Sequence, residues 1–233
     1  MTTRIQRMRK IGMAAVMAGI VLCPLAAAAQ TGAGSMKPAA PPTSASGMYI
    51  GGVTGITAVQ NVGAQLGGEF GYQMSDRLSF FGEGVWMQDV VTRRRLDLAA
   101  SVATYVQTTQ GASATGAVVA PSFYAGGGAR VMLATSGLIR PFVSGGAGIA
   151  HVVLKPDFTV SGSDVSSNMA QYGVTLGSDL TGEMTKPAFQ FGAGILVPQG
   201  RWYISGEFGV TSIQTPDQTT NVLRVGVGIG TRF

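Results

Sequence analysis

The 233-residue chain carries one histidine, His151, and one cysteine, Cys23. A hydroxyl nucleophile needs an adjacent base to activate it. On a strand, the residue two places after the histidine shares its face, but that residue is Val153. A His/Cys metal site cannot be assembled from one histidine and one cysteine. Asp157, Asp164 and Asp179 are too scattered for a calcium site and read as loop solvation. Gly126-Gly127-Gly128 and Gly145-Gly146 are not phosphate loops, since no helix pattern follows either run and no GK[ST] is present. No cofactor is expected. Two groups of charge remain: the isolated Glu69, Glu83, Arg130, Glu207 and Arg224, and the consecutive Arg93, Arg94 and Arg95.

The N-terminus places Arg4, Arg7, Arg9 and Lys10 before an uncharged run from Ile11, closed by Pro24 and the small residues Ala26 to Ala29. This is the layout of a signal peptide over residues 1–29. The alternative is an uncleaved membrane anchor, because residues 11–29 are apolar over nearly a spanning length. Removal takes four of the 16 Lys and Arg and none of the 11 Asp and Glu, leaving a net charge of about +1. Overall charge then offers no argument for nucleic acid. Cys23 lies inside the segment, so the exported chain has no thiol or disulfide, and Leu22 before it is not the small residue lipidation needs. Residues 30–47, rich in Pro, Ala, Ser and Gly, read as a disordered periplasmic linker. Residues 48–233 are the folded domain.

From Met48 onward no 3.6-residue pattern is sustained over a helix length, and period-2 segments recur between turn signals. Leu223, Val225, Val227 and Ile229 alternate with Arg224, Gly226, Gly228 and Gly230, with Thr231 the one departure on the apolar face before Phe233. Trp202, Ile204 and Phe208 oppose Tyr203, Ser205 and Glu207, and Phe189, Phe191 and Ile195 oppose Gln190, Gly192 and Gly194. Similar runs at 65–74, 78–87 and 122–133, with strands at 49–57 and 139–151 of less clear sidedness, predict eight strands. Tight turns fall at Ser75-Asp76, Thr135-Ser136-Gly137 and Gln199-Gly200, and the even-numbered gaps are expected to hold the long polar segments 91–116 and 155–186. Short turns on one side and long loops on the other predict an all-β, eight-stranded antiparallel up-and-down transmembrane β-barrel.

A soluble barrel alternates in the same way with inside and outside reversed. Water-facing surfaces carry roughly 25–35% charged residues, whereas here the polar faces are mainly Gly, Ser and Gln. They are therefore expected to face an enclosed lumen. An arginine on the lipid face costs about 2–4 kcal/mol near the midplane, so Arg130 and Arg224 are expected to point inward. There Glu69, Glu83 and Glu207 would pair with Arg130 and Arg224, with Arg140 as a further candidate partner, plugging the lumen, because buried charges persist only when paired. The alternative is a proton or ion pathway.

The segments FYAGGGARVML (123–133), RPFVSGGAGIAHV (140–152), FQFGAGILVP (189–198) and VGVGIGTRF (225–233) resemble the OmpA-like outer membrane β-barrel domain family. The resemblance spans residues 48–233 and rests on strand grammar. It implies a bacterial outer-membrane location and a last-strand signal for the barrel-assembly machinery, with Gly228 and Phe233 in its glycine and terminal aromatic positions. Peptidoglycan binding of the full OmpA type is not expected, as no periplasmic domain is read behind the barrel. Lipid A deacylases, barrels of similar size, use a histidine, a serine two residues on and a carboxylate, so Val153 argues against that activity. His151 is expected near the outer rim. Arg93, Arg94 and Arg95 are expected either to contact lipopolysaccharide phosphates or to be a solvated loop. The expected function is that of a monomeric, non-enzymatic barrel serving envelope integrity or surface adhesion, with a narrow passive channel as the alternative. Its partners are outer-membrane lipid and lipopolysaccharide.

Overall fold

A computed structural model describes residues 47–215 and 219–233, so the expected signal peptide and nearly all of the linker lie outside the described residues. The elements run β1 (Gly47–Ala58), β2 (Val62–Gln73), β3 (Leu78–Met87), α1 (Arg93–Gln110), β4 (Ala114–Val119), β5 (Ser122–Met132), β6 (Arg140–Val160), β7 (Ser163–Asp164), a 3-10 helix (Met169–Tyr172), β8 (Gly182–Gln199), β9 (Trp202–Gln214) and β10 (Thr219–Arg232). The eight long strands pair antiparallel in chain order, and β1 returns to β10 from Tyr49↔Arg232 to Ala58↔Leu223, closing the barrel. Strands β4 and β7 stand outside it, paired with the far end of β6 through Ala114↔Val160 to Val119↔Lys155 and Thr159↔Asp164.

The alternation sets the wall. Leu66, Phe70, Phe80, Trp86, Phe191, Phe208 and Ile229 are exposed outward, while Gln65, Glu69, Ser79, Gln190 and Arg224 are buried inside. Phe70 is 66% exposed and Arg130 4%, the reverse of a water-soluble distribution. A continuous apolar exterior of this size is stable against hydrocarbon rather than water. The fold is a transmembrane barrel. The two strands of unclear sidedness resolve with Tyr49 and Thr57 of β1, and Phe142, Ala150 and Val152 of β6, buried, and with Ile50, Val143 and Ile149 outside. Several of their inward residues, Tyr49, Phe142, Ala150 and Val152, are themselves largely apolar, so the alternation has little contrast.

Two expectations need correction. The long segments occupy the third and fifth connections of the barrel, not even-numbered ones; the second, fourth and sixth hold the tight turns. Moreover, the first long segment contains α1, although no helical period was expected there. Its apolar stripe, Leu96, Ala99, Ala103 and Val106, is narrow and half alanine, and the neighbouring Val and Thr residues are weak helix formers. Packing supplies the stability that propensity does not. The helix lies so close to β4 that a Cβ on Gly116 would strike the Ala99 carbonyl and the Phe158 ring. Gly111 ends the helix in the left-handed region at φ 64°, donating its N–H to the Gln107 carbonyl.

Helix α1, β4 and the end of β6 form a cap over the mouth opposite the tight turns. Ala99, Val106, Val118 and Phe158 of the cap, with Met169 and Leu180 from the segment between β7 and β8, share one buried apolar cluster with Met87, Tyr124, Val152, Ile213 and Val222 of the barrel. Asp89 ties the two together. Its Oδ1 accepts the N–H groups of Val91 and Ala120, both at 3.0 Å, and its Oδ2 accepts Asn61 Nδ2–H at 3.1 Å.

Candidate functional site

The strand register places the charged residues in two clusters between apolar layers. In the lower cluster Arg130 of β5 grips Glu69 of β2 with both ends of its fork, Nη1 to Oε1 at 3.0 Å and Nη2 to Oε2 at 2.6 Å. Glu207 of β9 stands 3.8 Å from Nη2. The guanidinium also faces the Phe142 ring at 4.5 Å and the Phe81 ring at 5.3 Å. A planar cation with bidentate carboxylate and aromatic contacts is a geometry lysine cannot reproduce.

In the upper cluster Arg224 of β10 donates through Nη1 towards Glu83 Oε1 at 2.9 Å, Gln190 Oε1 at 3.1 Å and Thr211 Oγ1 at 3.3 Å, and through Nε to Gln65 Oε1 at 3.1 Å. Gln65 in turn donates to the Val225 carbonyl at 3.3 Å. The two clusters draw on β2, β3, β5, β8, β9 and β10, and so cross-link the wall through its interior. Glu69, Glu83, Arg130, Glu207 and Arg224 are thus brought together. Arg140 forms no ion pair with these glutamates, and its Nε has no hydrogen-bond partner among the described residues. The sequence reading left Gln65, Gln190 and Thr211 out of the network, although the first two stood on polar faces. It also missed the floor at the tight-turn end, where Tyr49, Phe81, Met132, Phe142, Leu196 and Tyr203 form a second buried cluster. The Tyr49 and Tyr203 rings meet edge to face at 6.0 Å. Gly51 and Gly230 leave no Cβ where the Tyr203 ring and hydroxyl lie.

Among the described residues the centre of the lumen is occupied by these two charged clusters, between the aromatic floor and the apolar cluster under the cap. One cavity beside Arg130 and another beside Arg224 and Glu207 each hold about 10 Å³, roughly the room for one water. Among the described residues no group of three His, Cys, Asp or Glu side chains is placed to hold a metal ion.

The other singled-out residues lie elsewhere. Arg93, Arg94 and Arg95 open α1 and fan around it. Arg93 pairs with Asp97 at 3.3 Å on the exposed face, Arg94 is exposed, and Arg95 Nη2 lies 3.6 Å from Met184 Sδ at the outer end of β8. His151 faces outward on β6 towards the capped end. Its Nδ1 is 3.0 Å from the Thr185 hydroxyl across the strand pair, and its Nε2 is 3.6 Å from Glu183. The cross-strand neighbours, invisible to local spacing, are set by the His151↔Thr185 register. Gly228 faces inward, where a Cβ would meet Ser205 Oγ, and Phe233 is exposed with its N–H on the Met48 carbonyl at 2.9 Å.

No family model matches the chain, and no curated protein is significantly similar to it in sequence. Solved structures are similar in fold. Neisserial surface protein A is 9% identical, covering 80% of this chain and 96% of its own, with a TM-score of 0.50. The N-terminal β-barrel domain of Pseudomonas aeruginosa OprF is 16% identical, covering 79% and 97%, with a TM-score of 0.45. The outer membrane enzyme PagL is 12% identical, covering 78% and 98%, with a TM-score of 0.37. What the chain shares with the first of these is the closed eight-stranded antiparallel barrel.

Proposed function

We propose that this chain is an integral protein of the bacterial outer membrane that acts as a sealed, non-enzymatic barrel, contributing to envelope integrity and presenting a folded cap at the cell surface. The observation that carries this reading is the lumen: arginine and glutamate fill its centre, an aromatic floor lies on one side and the cap core on the other. A packed interior of this kind favours a structural role over the alternative of a solute channel. The tight-turn end, where both ends of the barrel meet, would face the periplasm and the cap would face outward. In this orientation the start of α1 would lie at the outer rim, where Arg93, Arg94 and Arg95 would meet lipopolysaccharide phosphates. Gly228 and Phe233 would serve recognition by the assembly machinery.

Cell fractionation tests the placement. The protein is expected in the outer-membrane fraction with a heat-modifiable gel shift, and deletion is expected to raise detergent sensitivity; recovery in the soluble or inner-membrane fraction would overturn the reading. Replacing Arg93, Arg94 and Arg95 together with Gln is expected to alter polymyxin sensitivity, and an unchanged response would remove the lipopolysaccharide contact.

A further inference from the structure

The tight-turn end of the barrel is basic where the rest of the folded chain is balanced. Each junction there carries one arginine: Arg77 in the turn between β2 and β3, Arg140 at the start of β6, Arg201 in the turn between β8 and β9, and Arg232 at the end of β10. None of these arginines forms an ion pair among the described residues. Arg232 donates its N–H to the Arg201 carbonyl at 2.8 Å, so two of the cations stand on adjacent chain segments. Among the described residues the side-chain carboxylate at this end is Asp76, whereas at the cap end lysine and arginine are matched by Asp97, Asp157, Asp164, Asp179 and Glu183.

The same end is apolar where a water-facing turn would not be. Leu138 and Ile139 lie in the turn between β5 and β6 at 67% and 55% exposure, and Met74 opens the β2 to β3 turn at 60%. Turns of this composition are stable at the boundary between headgroups and hydrocarbon rather than in water. Trp202 faces outward at this level, and the Arg201 guanidinium stands over its ring at 5.7 Å. Indole rings settle at that boundary, and an arginine stem lies along apolar surface while its head reaches the polar layer. The guanidinium groups of Arg201 and Arg77 are thereby set at the depth of the headgroups.

We infer that the tight-turn end binds anionic phospholipid, its headgroup phosphodiester held by the exposed Arg201 and Arg77 and attracted by the half-buried Arg140 and Arg232. A zwitterionic headgroup brings its own cation and leaves the positive charge unanswered. Residues 30–46 of the chain itself do not suit the site, since they carry Lys37 and no aspartate or glutamate. A soluble acidic protein would answer the charge but not the apolar turns between the arginines. Assignment to the periplasmic leaflet rests on the orientation proposed above; the lipid preference does not.

The two tryptophans, Trp202 at this end and Trp86 towards the cap, allow each end to be read separately. Trp86→Phe leaves Trp202 as reporter, and Trp202→Phe leaves Trp86. The barrel is reconstituted in mixed phosphatidylglycerol and phosphatidylcholine vesicles, with one lipid or the other carrying brominated chains, and quenching gives their relative binding at each tryptophan. At Trp202 phosphatidylglycerol should be favoured about fivefold, the effect of one basic residue at an anionic surface. High salt should weaken the preference. Arg77→Gln with Arg201→Gln should remove most of it, leaving the heat-modifiable shift and the value at Trp86 in place. Equal binding of the two lipids at Trp202, or a preference unchanged by the double substitution, overturns the proposal. Equal binding with polyglutamate retained by the parent barrel and not by the double variant would assign the arginines to an acidic polypeptide, and overturns it as well. Cell fractionation tests the outer-membrane location independently of all these outcomes.

Discussion

Replacing Arg130 with alanine is the most informative perturbation of the lumen. Arg130 is 4% exposed and Glu69 7%, so the substitution leaves a carboxylate with two vacated hydrogen bonds in a dry interior and takes the nearest cation from Glu207. Breaking a buried pair from one side costs about 3–5 kcal/mol. The lost contacts with Phe142 and Phe81 add about 0.5–2 kcal/mol each, as cation–π pairs. A folding constant lower by at least a hundredfold follows, since about 1.4 kcal/mol is a factor of ten. Urea unfolding of the refolded barrel in lipid, read by Trp86 and Trp202 on the outer wall, measures it. A control separates the unpaired charge from the worth of the pair. Arg130→Met with Glu69→Leu removes the bidentate pair and leaves only Glu207, whose side chain is 25% exposed and can be hydrated, so it should recover most of the loss, because apolar replacement of a whole buried pair is often neutral or better. A single variant within about 0.5 kcal/mol of the parent, the range of ordinary surface changes, would refute the reasoning, as would a double variant as unstable as the single one.

Other outcomes follow from the same geometry. Gly116→Val should push α1 off β4, opening residues 93–110 to protease while the barrel keeps its heat-modifiable shift; equal protection would contradict the packing. Asp89→Ala removes the acceptor for the Val91 and Ala120 N–H groups and should cost about 1–3 kcal/mol per stranded buried donor, measured by the same unfolding experiment. Asp164, outside the membrane, has its carboxyl held below the usual range by the hydroxyl and N–H of Ser166. A lowered folded pKa contributes stability at pH above the unfolded value and loses it as pH falls through the folded one. The protection factor for amide exchange at Ser166, its rate relative to the intrinsic rate at the same pH, should therefore fall in acid, and Asp164→Asn should remove that dependence. His151→Ala should leave lipid A mass spectra unchanged, since its contacts with Thr185 and Glu183 form a cross-strand surface pair; a loss of lipid A deacylation would reverse the non-enzymatic reading.

The barrel was legible because most strands contrast their faces: Phe208 beside Glu207 and Val225 beside Arg224 leave one register free of unpaired charge in lipid. Tyr49, Val53, Phe142 and Val152 blurred β1 and β6, because inward residues near the floor and cap are apolar as well. The charged residues of the lumen could be placed on one face from alternation, but their partners could not. Glu69 and Arg130 are separated by 61 positions, and only strand order and stagger bring them together. Helix α1 was missed for a different reason: alanine at two of its core positions erases the contrast on which periodicity depends, and docking against Gly116 does the work that a strong stripe usually does.

Single-channel recording on the purified protein, reconstituted and shown to be inserted by its heat-modifiable shift, tests the central claim most directly. A sealed lumen predicts no conductance steps in the parent barrel, whereas regular ion-conducting openings would contradict it.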